Sequence, residues 1–146
     1  PITDGAAALL LASRARAQAL GLKPRARLRG QVVLGVDPVI ALTGPIPATR
    51  RALQRAGIGV RDVDLFEVNE AFAPVVLAWE REIAPDPDRV NVNGGAIAVG
   101  HPLGASGARI MVTLLHELER RDAALGLQTM CCFGGLGIAT VVERLA

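Results

Sequence analysis

Apolar positions along the chain fall into two kinds of run, extended stretches and stretches with helical spacing, and their alternation predicts an α/β fold. Ala6–Ala12 is a small apolar run of ambiguous type that passes into a helical stretch through about Leu20, punctuated by Gly21 and Pro24. Arg27–Val36 reads as a strand, and Gly44-Pro45-Ile46-Pro47 opens a helix that runs to about Ala56. Val63–Val68 is a short apolar strand, followed by a helix with Pro74 in its first turn. Phe72, Val75, Val76, Trp79 and Ile83 form one stripe at helical spacing there, the pattern of a core face. A new extended piece begins at Val90-Asn91-Val92 after the loop marked by Pro85 and Pro87. Ser106 then stands where it can cap a helix carrying Met111, Leu114, Leu115 and Leu118 on one face. Two last strands, Leu127–Cys131 and Ile138–Val142, are joined by the glycine-rich Phe133-Gly134-Gly135-Leu136-Gly137.

Composition narrows the class. With 51% hydrophobic and 21% charged residues in 146, the chain belongs with globular proteins of about one domain and not with disordered ones. Aromatics make up 3%, too few for a protein that stacks on single-stranded nucleic acid. No apolar run is long enough to span a bilayer. The first residue is Pro1 and not Met, so the chain reads as a piece of a longer protein.

The charge is uneven. Residues 1–61 hold ten Lys or Arg against two acids, and the rest holds six against twelve. Lys23, Arg25, Arg27 and Arg29 recur with period two, which on a strand puts them on one face. Such a row either protects a sheet edge from pairing or attracts a phosphate-bearing ligand. Cys131 and Cys132 are adjacent and cannot form a disulfide framework, which points to a reducing, cytoplasmic setting. With only His101 and His116 beside them, no zinc-ligand spacing exists, and no metal site is expected.

Three segments carry residue types that structure alone does not require. Asn69-Glu70-Ala71-Phe72 stands at the carboxyl end of a strand, where open α/β sheets place ligands, although Asn69 would serve equally as a helix cap. Asn93–Gly107 carries five glycines without the spacing of a phosphate loop or a dinucleotide fingerprint, and it holds His101 in a stiff turn between Gly100 and Pro102. Cys131-Cys132-Phe133-Gly134-Gly135 ends a strand in a tight turn, where a thiol can face a cleft. Strand alternation sends the two thiols to opposite faces, so at most one should do so.

Together these segments resemble the thiolase family (acetyl-CoA acetyltransferase and 3-ketoacyl-CoA thiolase), specifically its carboxyl-terminal half. The resemblance runs from Asp4-Gly5-Ala6-Ala7-Ala8 through Gly44-Pro45-Ile46-Pro47-Ala48 and is sharpest at the three segments just described. It implies a thiolase-like α/β domain, a mixed sheet with helices on its faces. Residues 1–26 would be the last elements of the amino-terminal domain and 27–146 the carboxyl-terminal domain. It implies thiolytic cleavage of 3-ketoacyl-CoA, or the reverse Claisen condensation. Cys131 would be the acid/base cysteine, His101 would activate the nucleophilic cysteine and bind the thioester oxyanion, and Asn69 would hold a water beside that oxyanion. Coenzyme A and acyl-CoA are then substrates, no cofactor is tightly bound, and the intact enzyme is a homo-oligomer.

Two departures bear on that reading. The family's nucleophilic cysteine belongs to the amino-terminal half, and the only cysteines here are Cys131 and Cys132, so this piece alone is expected to be inactive. The family's usual Cys-x-Gly is here Cys131-Cys132-Phe133, and a register with Cys132 as the active thiol is the alternative. Phe133, a buried ring in this reading, is expected to narrow the acyl pocket. A non-catalytic acyl-CoA-binding or assembly module is the competing function.

Overall fold

The computed structural model describes residues 2–145, so Pro1 and Ala146, the outermost residues of the two expected domains, lie outside it. Four strands, β1 (Ala26–Gly35), β2 (Leu65–Val68), β3 (Leu125–Cys132) and β4 (Leu136–Arg144), form one sheet in the order β1-β4-β3-β2. β4 pairs antiparallel with both β1 and β3, while β2 runs parallel to β3, so the sheet is mixed as expected. Parallel neighbours need a crossover. Here it consists of α3 (Ala73–Ile83), α4 (Ala96–Val99) and α5 (Ser106–Arg120), while α1 (Arg14–Ala19) and α2 (Pro45–Ala56) come earlier.

The helices divide between the two faces. α2 and α3 cover one, burying Ala48, Ala52, Leu53, Val76 and Trp79 against Phe66, Val68, Leu127 and Val141. Trp79 is fully buried, with its ring 5.4 Å from that of Phe66 in an edge-to-face pair and its indole N–H donating to Thr49 Oγ1 at 2.9 Å. α5 covers the other face, where Met111, Leu114 and Leu118 pack on Leu65 and Val142.

Residues 3–13, the run of ambiguous type included, carry no regular structure, and the helix expected through about Leu20 is Arg14–Ala19, where Ser13 caps it through Arg16 N–H at 3.2 Å. Leu10 and Leu11 are exposed in this chain. Phe72 is not in the α3 stripe but is its N-cap in extended backbone, 62% exposed, because Pro74 starts the helix one residue later. Val90 makes only an isolated bridge to Phe66.

β1 is an edge strand, and Arg25 pairs with Glu119 at 2.7 Å and Arg27 with Glu143 at 2.6 Å. A register shift between Leu28 and Gly30 breaks the period at Arg29, which lies 3.6 Å from Glu143 and donates to Ala56 O at 3.2 Å. No helix among the described residues is long and apolar enough to cross a membrane.

Candidate functional site

The parallel pair β2–β3 fixes one end of the sheet. Asn69 follows β2 directly and donates its backbone N–H to Thr129 O at 2.9 Å, two residues before Cys131 on β3. α5 runs back across β3, with Gly107 in its first turn beside Met130 and Leu114 beside Gly126. His101, in the turn that leads into α5, therefore lies at the same end of the sheet as Asn69 and Cys131. This is the carboxyl end of the parallel strands, the usual ligand position in such sheets.

The segment before His101 is tied down on both sides. Arg109 on α5 donates to Val99 O at 3.0 Å and to Gly100 O at 2.7 Å. The His101 Nδ1 lies 2.6 Å from Ser106 Oγ, and Ser106 Oγ donates to Pro102 O at 3.0 Å. Ser106 is thus the first helical residue and not the cap, which is Ala105, because its hydroxyl is engaged with the turn behind it. Burial lowers the His101 pKa from its ordinary value, and the positive charge of Arg109 acts in the same direction.

Strand alternation puts Cys131 on the face of Leu127 and Thr129, under α2 and α3, and Cys132 on the face of Gln128 and Met130, under α5. Cys131 is buried and Cys132 half-buried. Burial pushes the Cys131 thiol up, so its resting form carries the proton. Phe133 is 96% exposed, contrary to the expected buried ring. Gly134 and Gly135, at φ 89° and 84°, turn the chain at the hairpin tip and aim that side chain outward.

A cavity of about 270 Å³ opens between the end of β2, the 91–99 segment and α5, lined by Asn69, Glu67, Glu70, Asn91, Asn93 and Arg109 among others. Its lining contains neither His101 nor Cys131. A shallower depression of about 390 Å³ between α2 and α3 holds none of the candidate residues. Asn69 is buried with neither amide atom hydrogen-bonded, and Gln128 Oε1 is likewise unpartnered. Asn69 is therefore no helix cap. Glu70 accepts Ile97 N–H at 3.0 Å and so caps α4, in space that only a glycine at position 95 leaves open, since a Cβ there would meet the Glu70 carboxylate.

Three site residues escaped the sequence reading. Glu67 is buried on β2 beside the cavity, and its carboxyl is pushed up to about 8 by burial, partly offset by Arg109. A lone acid inside the apolar Leu65-Phe66-Glu67-Val68 was the available signal. Arg109 is the second. Asn91, at φ 46°, is the third: its side chain accepts Val68 N–H at 2.8 Å and donates to Val68 O at 3.0 Å, standing in for a further strand. Deeper along α5, Glu117 is held down to about 2 by Arg120, with Asn93 and Arg121 adding to it. Among the described residues no cluster of His, Cys, Asp and Glu could hold a metal ion.

Comparison with known proteins agrees with this architecture. Residues 22–144 match the family described as thiolase, C-terminal domain. The chain belongs to the thiolase family. It is 56% identical over 144 residues to the steroid 3-ketoacyl-CoA thiolase of Mycobacterium tuberculosis, covering 99% of this chain and 35% of that protein. It is 55% identical over 144 residues to the acetyl-CoA acetyltransferase of Escherichia coli, covering 99% and 36%. The crystal structure of human mitochondrial 3-ketoacyl-CoA thiolase in complex with CoA superposes with a TM-score of 0.89 at 48% identity, covering 92% of this chain and 34% of that one. The thiolase domain described here thus spans about a third of the length of the relatives it matches.

Proposed function

We propose that the protein containing this thiolase domain transfers acyl groups between carbon and the thiol of coenzyme A, cleaving 3-ketoacyl-CoA or running the reverse Claisen condensation. What supports the reading is that Asn69, His101 and Cys131, each from a different element, lie toward the same end of the sheet, the carboxyl end of β2 and β3. The names of the relatives and the CoA complex of the human enzyme support the substrate class. Residues 1–26 would close the preceding domain: among the described residues, α1 and the segment before it belong to neither of the two core clusters, and the first contact with them comes at Ala26. The nucleophilic cysteine would come from outside these 146 residues.

In thiolysis, attack of that cysteine on the 3-keto carbon breaks the C2–C3 bond and leaves a carbanion on the departing acyl-CoA. Cys131, held as the thiol by burial, gives that carbanion its proton. The resulting thiolate then takes the proton of incoming CoA, whose sulfur attacks the acyl-enzyme and regenerates both cysteines. His101 and a water held by Asn69 face the oxyanion that forms in each addition, where fixed donors act chiefly on the transition state.

The test is thiolysis of acetoacetyl-CoA by the whole protein, wild type against His101→Ala. Turnover that falls about 10²–10³-fold in the variant supports the reading. Tight CoA binding without turnover in the wild type would make this a binding module, and a change confined to KM would remove His101 from the chemistry.

A further inference from the structure

The contacts of His101 assign its protons. Ser106 is fully buried at the start of α5, and its hydroxyl oxygen has two polar neighbours, His101 Nδ1 at 2.6 Å and Pro102 O at 3.0 Å. A serine hydroxyl has one proton to give. The Pro102 carbonyl never supplies a proton, and it also accepts the N–H groups of Ala105 and Ser106 at 2.9 and 2.8 Å. If Ser106 gave its proton to Nδ1, its oxygen and the carbonyl would face each other at 3.0 Å with lone pairs only. If Nδ1 carries the proton, both contacts are hydrogen bonds: Nδ1–H to Ser106 Oγ, and Oγ–H to Pro102 O. The second arrangement satisfies every group, and in a buried site that difference decides.

We propose that Ser106 is a positioning residue that holds His101 as the Nδ1–H tautomer, so that Nε2 first accepts a thiol proton and then, as N–H, donates to the oxyanion. This rests on the reading above that His101 is catalytic. The step balances: a thiol presented to Nε2 loses its proton and becomes the thiolate, and the imidazole becomes an imidazolium with an N–H on each nitrogen. The oxyanion that forms when the thiolate attacks accepts from the Nε2–H just made. Without the Ser106 acceptor, the ring is free to place its single proton on Nε2, which then cannot take one from a thiol. Arg109 fixes the backbone of the turn, and Ser106 fixes the ring; the two tasks fall to different residues of the same helix.

The experiment is nitrogen-15 NMR of the whole protein labelled at histidine, with His101 assigned by its loss in His101→Asn. The expected spectrum near neutral pH shows a protonated Nδ1 and an unprotonated Nε2, and the opposite pattern overturns the proposal. In Ser106→Ala, thermal melting should stay close to wild type, the His101 signals should move toward the Nε2–H pattern, and kcat should fall about 10- to 100-fold with KM within about threefold. Ser106→Thr keeps the hydroxyl and should restore the tautomer. Unchanged kcat and unchanged ring signals in a folded Ser106→Ala protein would remove Ser106 from the site. A wild type with the Nδ1–H tautomer but no thiolysis would leave the proton assignment standing and remove the proposed function instead.

Discussion

On the α2–α3 face of the sheet the buried side chains are apolar almost without break, and the one large polar group, the Trp79 indole N–H, has its partner in Thr49. On the α5 face the apolar cluster is smaller, and toward the carboxyl end of the strands it gives way to Glu67, Asn69 and Gln128, all three with unmet electrostatic or hydrogen-bonding demands. Burying polar groups without partners costs stability. Among the described residues these groups gather on one face, at the carboxyl end of the parallel strands, the usual ligand position in such sheets. The adjacent cysteines straddle this division, Cys131 toward the apolar side and Cys132 toward the polar one.

The cysteine pair gives the largest test. In the whole protein Cys131→Ala should lower α-proton exchange of acetyl-CoA by about 10²–10⁴-fold, and Cys132→Ala should be mild. The reverse result would place all of the chemistry on the α5 side and shift the active thiol by one position. Next comes the contrast between packing and function. Trp79→Ala should cost about 3–5 kcal/mol in denaturant unfolding, whereas Asn69→Ala should cost less than about 1 kcal/mol while lowering turnover. Equal losses of stability would erase the distinction between the faces.

Glu67 sharpens the comparison through pH. Its folded pKa of about 8 lies above the ordinary carboxylate value of 4.5, so between those values the folded state keeps a proton that the unfolded state has released. Stability is therefore fully present below the lower value and declines as pH rises through the window, by up to about 1.4 kcal/mol per pH unit. Glu67→Gln should flatten that decline in urea unfolding measured from pH 5 to 8. A curve for the variant that parallels wild type would show that Glu67 is solvated and charged. The smallest effect belongs to Phe133. Phe133→Gly should change kcat/KM for long acyl-CoA and for acetoacetyl-CoA alike, because its exposed ring lines neither cavity, and a gain confined to long acyl-CoA would make that ring a gate after all.

Much of this was legible in the chain. Pro45 and Gly57 bracket α2 as their chemistry requires, the Val75–Ile83 stripe is the buried face of α3, and the turn at Gly134-Gly135 separates the last two strands. What escaped depends on contacts distant in sequence. Ser106 looks like a cap until His101 folds back over it. Phe72 follows the α3 spacing, but one proline moves the helix start past it. The candidate residues Asn69, His101 and Cys131 stood out through motifs, whereas Glu67, Arg109 and Asn91 have no motif and acquire meaning only from the cavity and turn they enclose.

The Asn91 side chain has a consequence for how the family can vary. β2 carries Asn69 into place, yet its outer edge is held by a single amide group and by Asn91 N–H to Phe66 O at 2.9 Å, with no companion strand among the described residues to keep in register. The chain between Ile83 and Val90 can therefore lengthen or shorten without sliding β2, provided one asparagine returns to the same spot. Insertions there should be absorbed as surface loop, while a substitution at Asn91 alone would loosen the strand end that presents Asn69.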